Sequence, residues 1–227
     1  LNFLDTTYQR NKHDLEIKIK REIKKKPKTA LLLLAAGSST RAKTFNKLSR
    51  KLNGVPLLTH CYNAVKCSNV DHILVVTSKE NYQQAINLDL PRPEVSLLNS
   101  KSEGLGQTIA HGVGHLINDF TSLIICLSDT PHVSKLHINL LLDSNKRSNY
   151  SGIHRIYDVN NTPGHPVLFN ENLFLELSNL KSDDDPKILF HKGSQNLFHQ
   201  LLLRFRYNKS ISLWLDSFLD NYLLAHK

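Results

Sequence analysis

The sequence predicts an α/β domain of three layers built on a largely parallel sheet. Two observations predict it. Apolar runs of strand length, such as "ALLLLAA" (30–36) and "SLIIC" (122–126), are continuous, as expected for strands covered on both faces. Between such runs lie segments whose apolar residues recur at helical spacing, so strand and helix alternate along most of the chain.

The elements follow in order. "ALLLLAA" is the first strand, and "PLLTHCYNAVKCS" reads as a helix with Pro56 at its first position. "HILVVTS" (72–78) is a β-branched strand, "ENYQQAINL" a helix and "EVSLLNS" a strand. "GQTIAHGVGHLIND" places Ile109, Val113, Leu116 and Ile117 on one helical face. "SLIICLSD" (122–129) is a buried strand ending in a carboxylate, and "SKLHINLLLDSNK" is an amphipathic helix. After residue 150 the rhythm changes. "SGIHRIYDVNNTPGHPVLF" reads as two strands around an Asn-Asn-Thr-Pro-Gly turn. "ENLFLELSNL" and "DPKILFHKG" read as helices, "LFHQLLLRF" and "ISLWLD" as late strands, and "SFLDNYLLAHK" as a last helix. Residues 29–227 form one domain in this reading. Residues 1–28 are a basic N-terminal extension, either a solvated helix or a basic arm.

The chain has 227 residues, 40% hydrophobic and 22% charged, which supplies the core of one large domain. No apolar run reaches the roughly 18 residues that span a bilayer. The charged N-terminal stretch is not a secretory signal. Cys61, Cys67 and Cys126 contain no CxxC pair, which argues against a disulfide framework or a cysteine zinc site. A reducing, cytoplasmic setting is expected. The net charge of +9 fits an anionic ligand and equally fits non-specific nucleic-acid contact. No aromatic-and-basic stripe supports the nucleic-acid reading.

Two stretches carry chemistry, and both follow strands, where open α/β sheets bind ligands. The first is the loop 37–47. Gly37 admits close backbone approach, Ser38, Ser39 and Thr40 offer hydroxyls and amides, and Arg41 and Lys47 add two cations. Amides plus cations cradle an anion, most naturally a polyphosphate. The loop matches neither the Walker A nor the GxGxxG pattern. The second is "CLSDTP" (126–131), with Asp129 after a buried run. A carboxylate there suits magnesium beside a nucleotide, or it is a turn former. His111 and His115 have the i, i+4 spacing of a paired metal site, but no third ligand is apparent. They read as surface or internally satisfied histidines. Thr108, near a helix start, reads either as a cap or as a nucleobase contact. The three aspartates 183–185 read most simply as the first turn of the helix that follows.

In this order the motifs resemble the MobA-like nucleotidyltransferase superfamily, and most closely its molybdenum-cofactor cytidylyltransferase branch. The loop motif falls on Leu34, Ala35, Ala36, Gly37, Ser39, Arg41 and Lys47, followed by "NGVPLL" (53–58). Asn99 and "GLGQT" (104–108) match a third segment loosely, and "LSDTP" (127–131) stands where Leu-Gly-Asp-Gln-Pro is usual. "GHPVLF" (164–169) matches the branch without change, and "SDDDPKILF" and "WLDSFLDNY" supply Asp183, Lys187 and Asp216. Departures include Ala42, Ser100, Ser128, Thr130 and Phe218.

The resemblance implies a three-layer, Rossmann-like nucleotidyltransferase (GT-A-like) fold with a mainly parallel mixed sheet. It implies an enzyme that moves a nucleoside monophosphate, CMP from CTP, onto a phosphate-bearing acceptor, with pyrophosphate released. Ala36 stands where the guanylyl branch carries glycine, which favours the smaller pyrimidine. Arg41 and Lys47 would be catalytic. Leu34, Ala35, Ala36, Gly37, Ser39, Gly104, Gly106 and Thr108 would bind the nucleotide. Asp129 and Asp216 would hold Mg2+. Asn99, His165 and Pro166 would bind the acceptor, which the branch makes a molybdopterin. His165 itself is read in a turn between Gly164 and Pro166, where packing gives no reason for a histidine.

Overall fold

The computed structural model describes residues 27–37, 47–87, 94–98, 104–157, 163–182, 184, 186, 189 and 198–202. A central strand, β1 (Thr29–Ala35), pairs in parallel with β4 (His72–Thr77) on one side and β6 (Ser122–Leu127) on the other. Outward from β4 lies β5 (Glu94–Leu97), also parallel. Outward from β6 come β8 (Pro163–Asn170), β7 (Ile153–Tyr157) and β9 (Phe198–Leu202), giving the order β5-β4-β1-β6-β8-β7-β9. Only β8 runs antiparallel to its neighbours within this sheet. The expected mainly parallel mixed sheet is therefore the fold of the chain.

A small hairpin of β2 (Lys51–Leu52) and β3 (Val55–Pro56) precedes the first helix. Its two-residue turn needs left-handed backbone at both positions, and Asn53 (φ 51°) and Gly54 (φ 82°) supply it. Pro56 does not open the helix as expected. It pairs with Lys51 in an extended conformation (ψ 144°), and α1 (Leu57–Lys66) starts one residue later.

Helices cover both faces. α3 (Leu105–Leu116) and the short α5 (Phe174–Ser178) lie on one face, where Ile109, Val113, Phe174 and Leu177 meet Ala30, Leu32 and Leu34 of β1. α1 and α4 (Lys135–Arg147) lie on the other, where Leu58, Tyr62, Ile138 and Leu141 meet Leu31 and Leu33. α2 (Lys79–Ile86) joins β4 to β5. Every residue of β1 is buried, because alternate side chains feed two separate cores. A fully buried leucine contributes roughly 1.5–3 kcal/mol, so this one strand anchors both layers. Among the described residues no helix is long and apolar enough to cross a membrane. Residues 1–26 of the expected extension 1–28, and the last strand and helix expected beyond residue 202, lie outside the described residues.

Candidate active site

The chain runs from β1 outward through β4 to β5, then crosses back under α3 to β6 on the other side of β1. β1 and β6 therefore lie side by side at the point where strand order reverses. Such a point opens a crevice at the carboxyl ends of the strands. Both chemistry-bearing stretches begin there. Leu34 is registered against Leu127, so Ala36 and Gly37 end one strand beside Ser128 and Asp129 ending the other. Gly37 is exposed, and a Cβ there would meet nothing within 4 Å. That backbone is open to approach from outside.

Side chains fasten the two strand ends together. Ser128 donates to the Leu34 carbonyl twice, through its amide (3.1 Å) and its hydroxyl (2.6 Å). From the β4 side, the buried Asn81 amide donates to the Ala35 carbonyl at 2.8 Å. Thus the last carbonyls of β1, which the sheet ladder no longer serves, are closed by one residue from each flank. Thr130 donates its hydroxyl to the Leu127 carbonyl at 2.6 Å, so Asp129 sits between two residues that tie down its turn. Sequence reading missed Asn81 and the role of Ser128. The only sequence signal was the departure from glycine at 128.

Sulfur lies close by but stays protonated. Cys61 on α1 donates its thiol to the Ser128 carbonyl at 2.9 Å. Burial, then the negative charge of Asp129, push that thiol up to about 12 despite the Thr130 amide, which works the other way. Cys126 is pushed up further by burial and by Cys61. Asp129 supplies a carboxylate at this turn. Oxygen donors suit a hard divalent ion such as Mg2+.

Across β6 lies the start of β8. His165 is in that strand, not in a turn, and it precedes Pro166 through a cis peptide bond. The antiparallel register pairs Ile125 with Val167, so His165 stands beside the same carboxyl end of β6. The β7–β8 pairing, which joins Tyr157 to Pro163, keeps that backbone extended. Arg155 of β7, 4% exposed, donates its Nε to the Gly164 carbonyl at 3.2 Å. Its only sequence signal was a lone cation inside "HRIY". His132, three residues after Asp129, has a buried Nε2 with no hydrogen-bond partner among the described residues, and burial lowers its pKa.

The start of α3 also reaches this edge of the sheet. Gly104 precedes the helix at φ 142°, a conformation that favours glycine. At Gly106 a Cβ would stand 2.9 Å from the carbonyl oxygens of both Lys181 and Asp184. The glycine there admits that segment against the helix. Thr108 is buried and donates its hydroxyl back to the Gly104 carbonyl at 3.0 Å, so it is a helix-internal bond and not an N-cap. Asp184 accepts from the Lys181 amide at 2.8 Å. Ser39, Arg41, Asn99, Asp183, Lys187 and Asp216 lie outside the described residues, as does the side chain of Lys47, whose backbone opens a 3-10 turn (Lys47–Ser49).

Known proteins share this fold. Rv0371c from Mycobacterium tuberculosis superposes with a TM-score of 0.69 at 16% identity, over 80% of this chain and 90% of its own. A manganese complex of Rv0371c superposes at 0.64, with 16% identity over 78% of this chain and 89% of that one. A nucleotidyl transferase from Methanothermobacter gives 0.65 at 17% identity, over 86% and 99%. CMP:2-keto-3-deoxy-manno-octonic acid synthetase complexed with CTP gives 0.60 at 10% identity, over 86% and 99%. No match was found among curated proteins. Residues 31–199 match the family described as the MobA-like NTP transferase domain, which takes in both strand ends of the crevice. The chain belongs to the MobA-like NTP transferase domain family and is a nucleotidyltransferase.

Proposed function

We propose that the protein transfers CMP from CTP to a phosphate-bearing acceptor, a molybdopterin, and releases pyrophosphate. The observation that carries the reading is the junction of the β1 and β6 ends, Ala36–Gly37 beside Asp129, at the reversal of strand order. A nucleotide there lies along the loop 34–47, with Ser39 and the α3 start (Gly104, Gly106, Thr108) around it. Asp129 and Asp216 would hold Mg2+, which would neutralise triphosphate charge. The Asp129 carboxylate at the β6 end suits that ion, and a manganese complex of Rv0371c accords with it.

The chain's own residues then have limited work. A phosphate monoester is already anionic at neutral pH, so no base is needed. Its oxygen forms a bond to the α-phosphorus while the bond from that phosphorus to the β-phosphate bridging oxygen breaks. The electron pair leaves with pyrophosphate. Arg41 and Lys47 stabilise charge that moves onto the leaving group, and alignment supplies the rest. Asn99, His165 and Pro166 hold the acceptor on the β8 side. The unchanged "GHPVLF" motif supports the pterin acceptor, and Ala36 supports the pyrimidine.

The test is pyrophosphate release from CTP, GTP and ATP, each with molybdopterin, a sugar phosphate and a polyol phosphate. CTP with molybdopterin is expected to turn over fastest. Preference for GTP would overturn the base assignment, and preference for a sugar or polyol phosphate would overturn the acceptor. No turnover with any pair, together with salt-sensitive binding of any nucleic acid, would favour a non-catalytic binding protein.

A further inference from the structure

At the β5 edge of the sheet, two imidazoles meet one hydroxyl. His111 and His115 stand one turn apart on α3, with ring centroids 5.0 Å apart. The Nε2 of His111 is 2.8 Å from the Ser96 Oγ on β5, and the Nε2 of His115 is 3.0 Å from the same atom. A serine hydroxyl has one proton and can satisfy the lone pair of only one imidazole. The other ring must donate to the oxygen through the opposite tautomer. Both nitrogens are nonetheless aimed at one point, on a half-buried to exposed face beside an edge strand.

We propose that His111 and His115 form a chelating site for a borderline divalent metal, of the class Zn2+, Cu2+ or Ni2+, at the β5 edge. Convergent Nε2 atoms at i, i+4 are the donor geometry such an ion uses. An all-imidazole donor set selects this class over Mg2+ or Mn2+, which prefer oxygen. Among the described residues no third histidine, cysteine or carboxylate joins the pair, so water completes the coordination and the ion exchanges freely. Metal binding requires neutral imidazoles. The ion would link α3 to β5, whose connection (residues 98–104) leads into the α3 start. The proposal stands apart from the nucleotidyltransferase reading, since it uses none of those residues.

The full-length chain is titrated with Zn2+ alone and Cu2+ alone against a chromogenic chelator, with folding of each variant checked by circular dichroism. Wild type is expected to bind one ion that millimolar Mg2+ does not displace. His111→Ala and His115→Ala should each weaken it by on the order of tenfold or more, since loss of a direct ligand costs at least what an outer-sphere partner does. The Cu2+ spectrum of wild type should show coupling to two nitrogens. Ser96→Ala removes the shared hydroxyl but keeps both donors, so it should keep the ion and its spectrum. Equal affinity and stoichiometry in wild type and both histidine variants would overturn the site. Loss of the ion in Ser96→Ala would overturn the two-imidazole donor set.

Discussion

The Ser128 hydroxyl donates to the Leu34 carbonyl at 2.6 Å, fastening the end of β6 to the end of β1 one residue before Asp129. Ser128→Ala removes that bond and leaves the amide bond to the same carbonyl. Stability should fall by about 1 kcal/mol, the usual worth of one such bond. Turnover should be nearly unchanged, because the hydroxyl is engaged with that carbonyl. Denaturant titration and pyrophosphate release together check this. Lost turnover at unchanged stability would instead place the hydroxyl in the reaction.

Asp129→Asn and Asp216→Asn each keep side-chain shape and remove a negative charge. Each should fold, lose most turnover and need more Mg2+ for what remains. If both act through one ion, as proposed, the double variant should lose little beyond either single one. A Mg2+ titration of the three variants is the measurement. A fully active Asp129→Asn would contradict the assignment of the ion to this crevice.

Gly112 and Gly114 lie on the same helix but should respond oppositely to alanine. A Cβ at Gly112 would stand 2.8 Å from Leu32 Cδ2 and 3.0 Å from Val76 Cγ2, whereas at Gly114 it meets nothing within 4 Å. Gly114→Ala should gain up to about 1 kcal/mol from helix propensity. Gly112→Ala should lose roughly 1–3 kcal/mol to overpacking. Thermal unfolding of the two variants decides it, and equal shifts would contradict the close packing of α3 on β1.

His137 replaces the usual glutamate or glutamine in the capping box of α4. Its Nδ1 accepts from the Ser134 amide at 3.0 Å, and the Ser134 hydroxyl lies 2.8 Å from the same nitrogen. Burial, then His132, lower its pKa, so the folded state holds it neutral. The unfolded chain therefore binds this proton first. The contribution is complete above the unfolded value near 6.5 and is lost as pH falls below it. His137→Gln keeps an acceptor that does not titrate. Its melting temperature should fall less than wild type between about pH 7 and 5. Parallel pH profiles would count against the box.

Lys47→Ala should lower turnover by on the order of 10²-fold or more, with a smaller effect on NTP affinity, if its charge acts on the leaving group. Deletion of residues 1–28, proposed as an appendage, should leave both folding and turnover nearly intact. An aggregating truncation would make the arm part of the domain.

The sequence by itself determined the strands and helices that are locally periodic. The continuous run of β1, the helical spacing of Ile109, Val113 and Leu116, and the ordered motifs that mark the family were all readable, because each depends on neighbours in the chain. What only the tertiary structure decided are relationships across the sheet. Strand order brought Gly37 beside Asp129, strand pairing put Ser128 on the Leu34 carbonyl, and helix α2 put the Asn81 amide on the Ala35 carbonyl. His165 lies in a strand because β7 and β6 pair with it from both sides, although its local sequence looks like a turn. Gly112 and Gly114 read alike as helix glycines, and only the approach of Leu32 distinguishes them. His111 and His115 were a spacing until β5 placed Ser96 between them. A side chain's partner across a sheet is set by which strand lies alongside and in what register, and neither is encoded in its immediate neighbours.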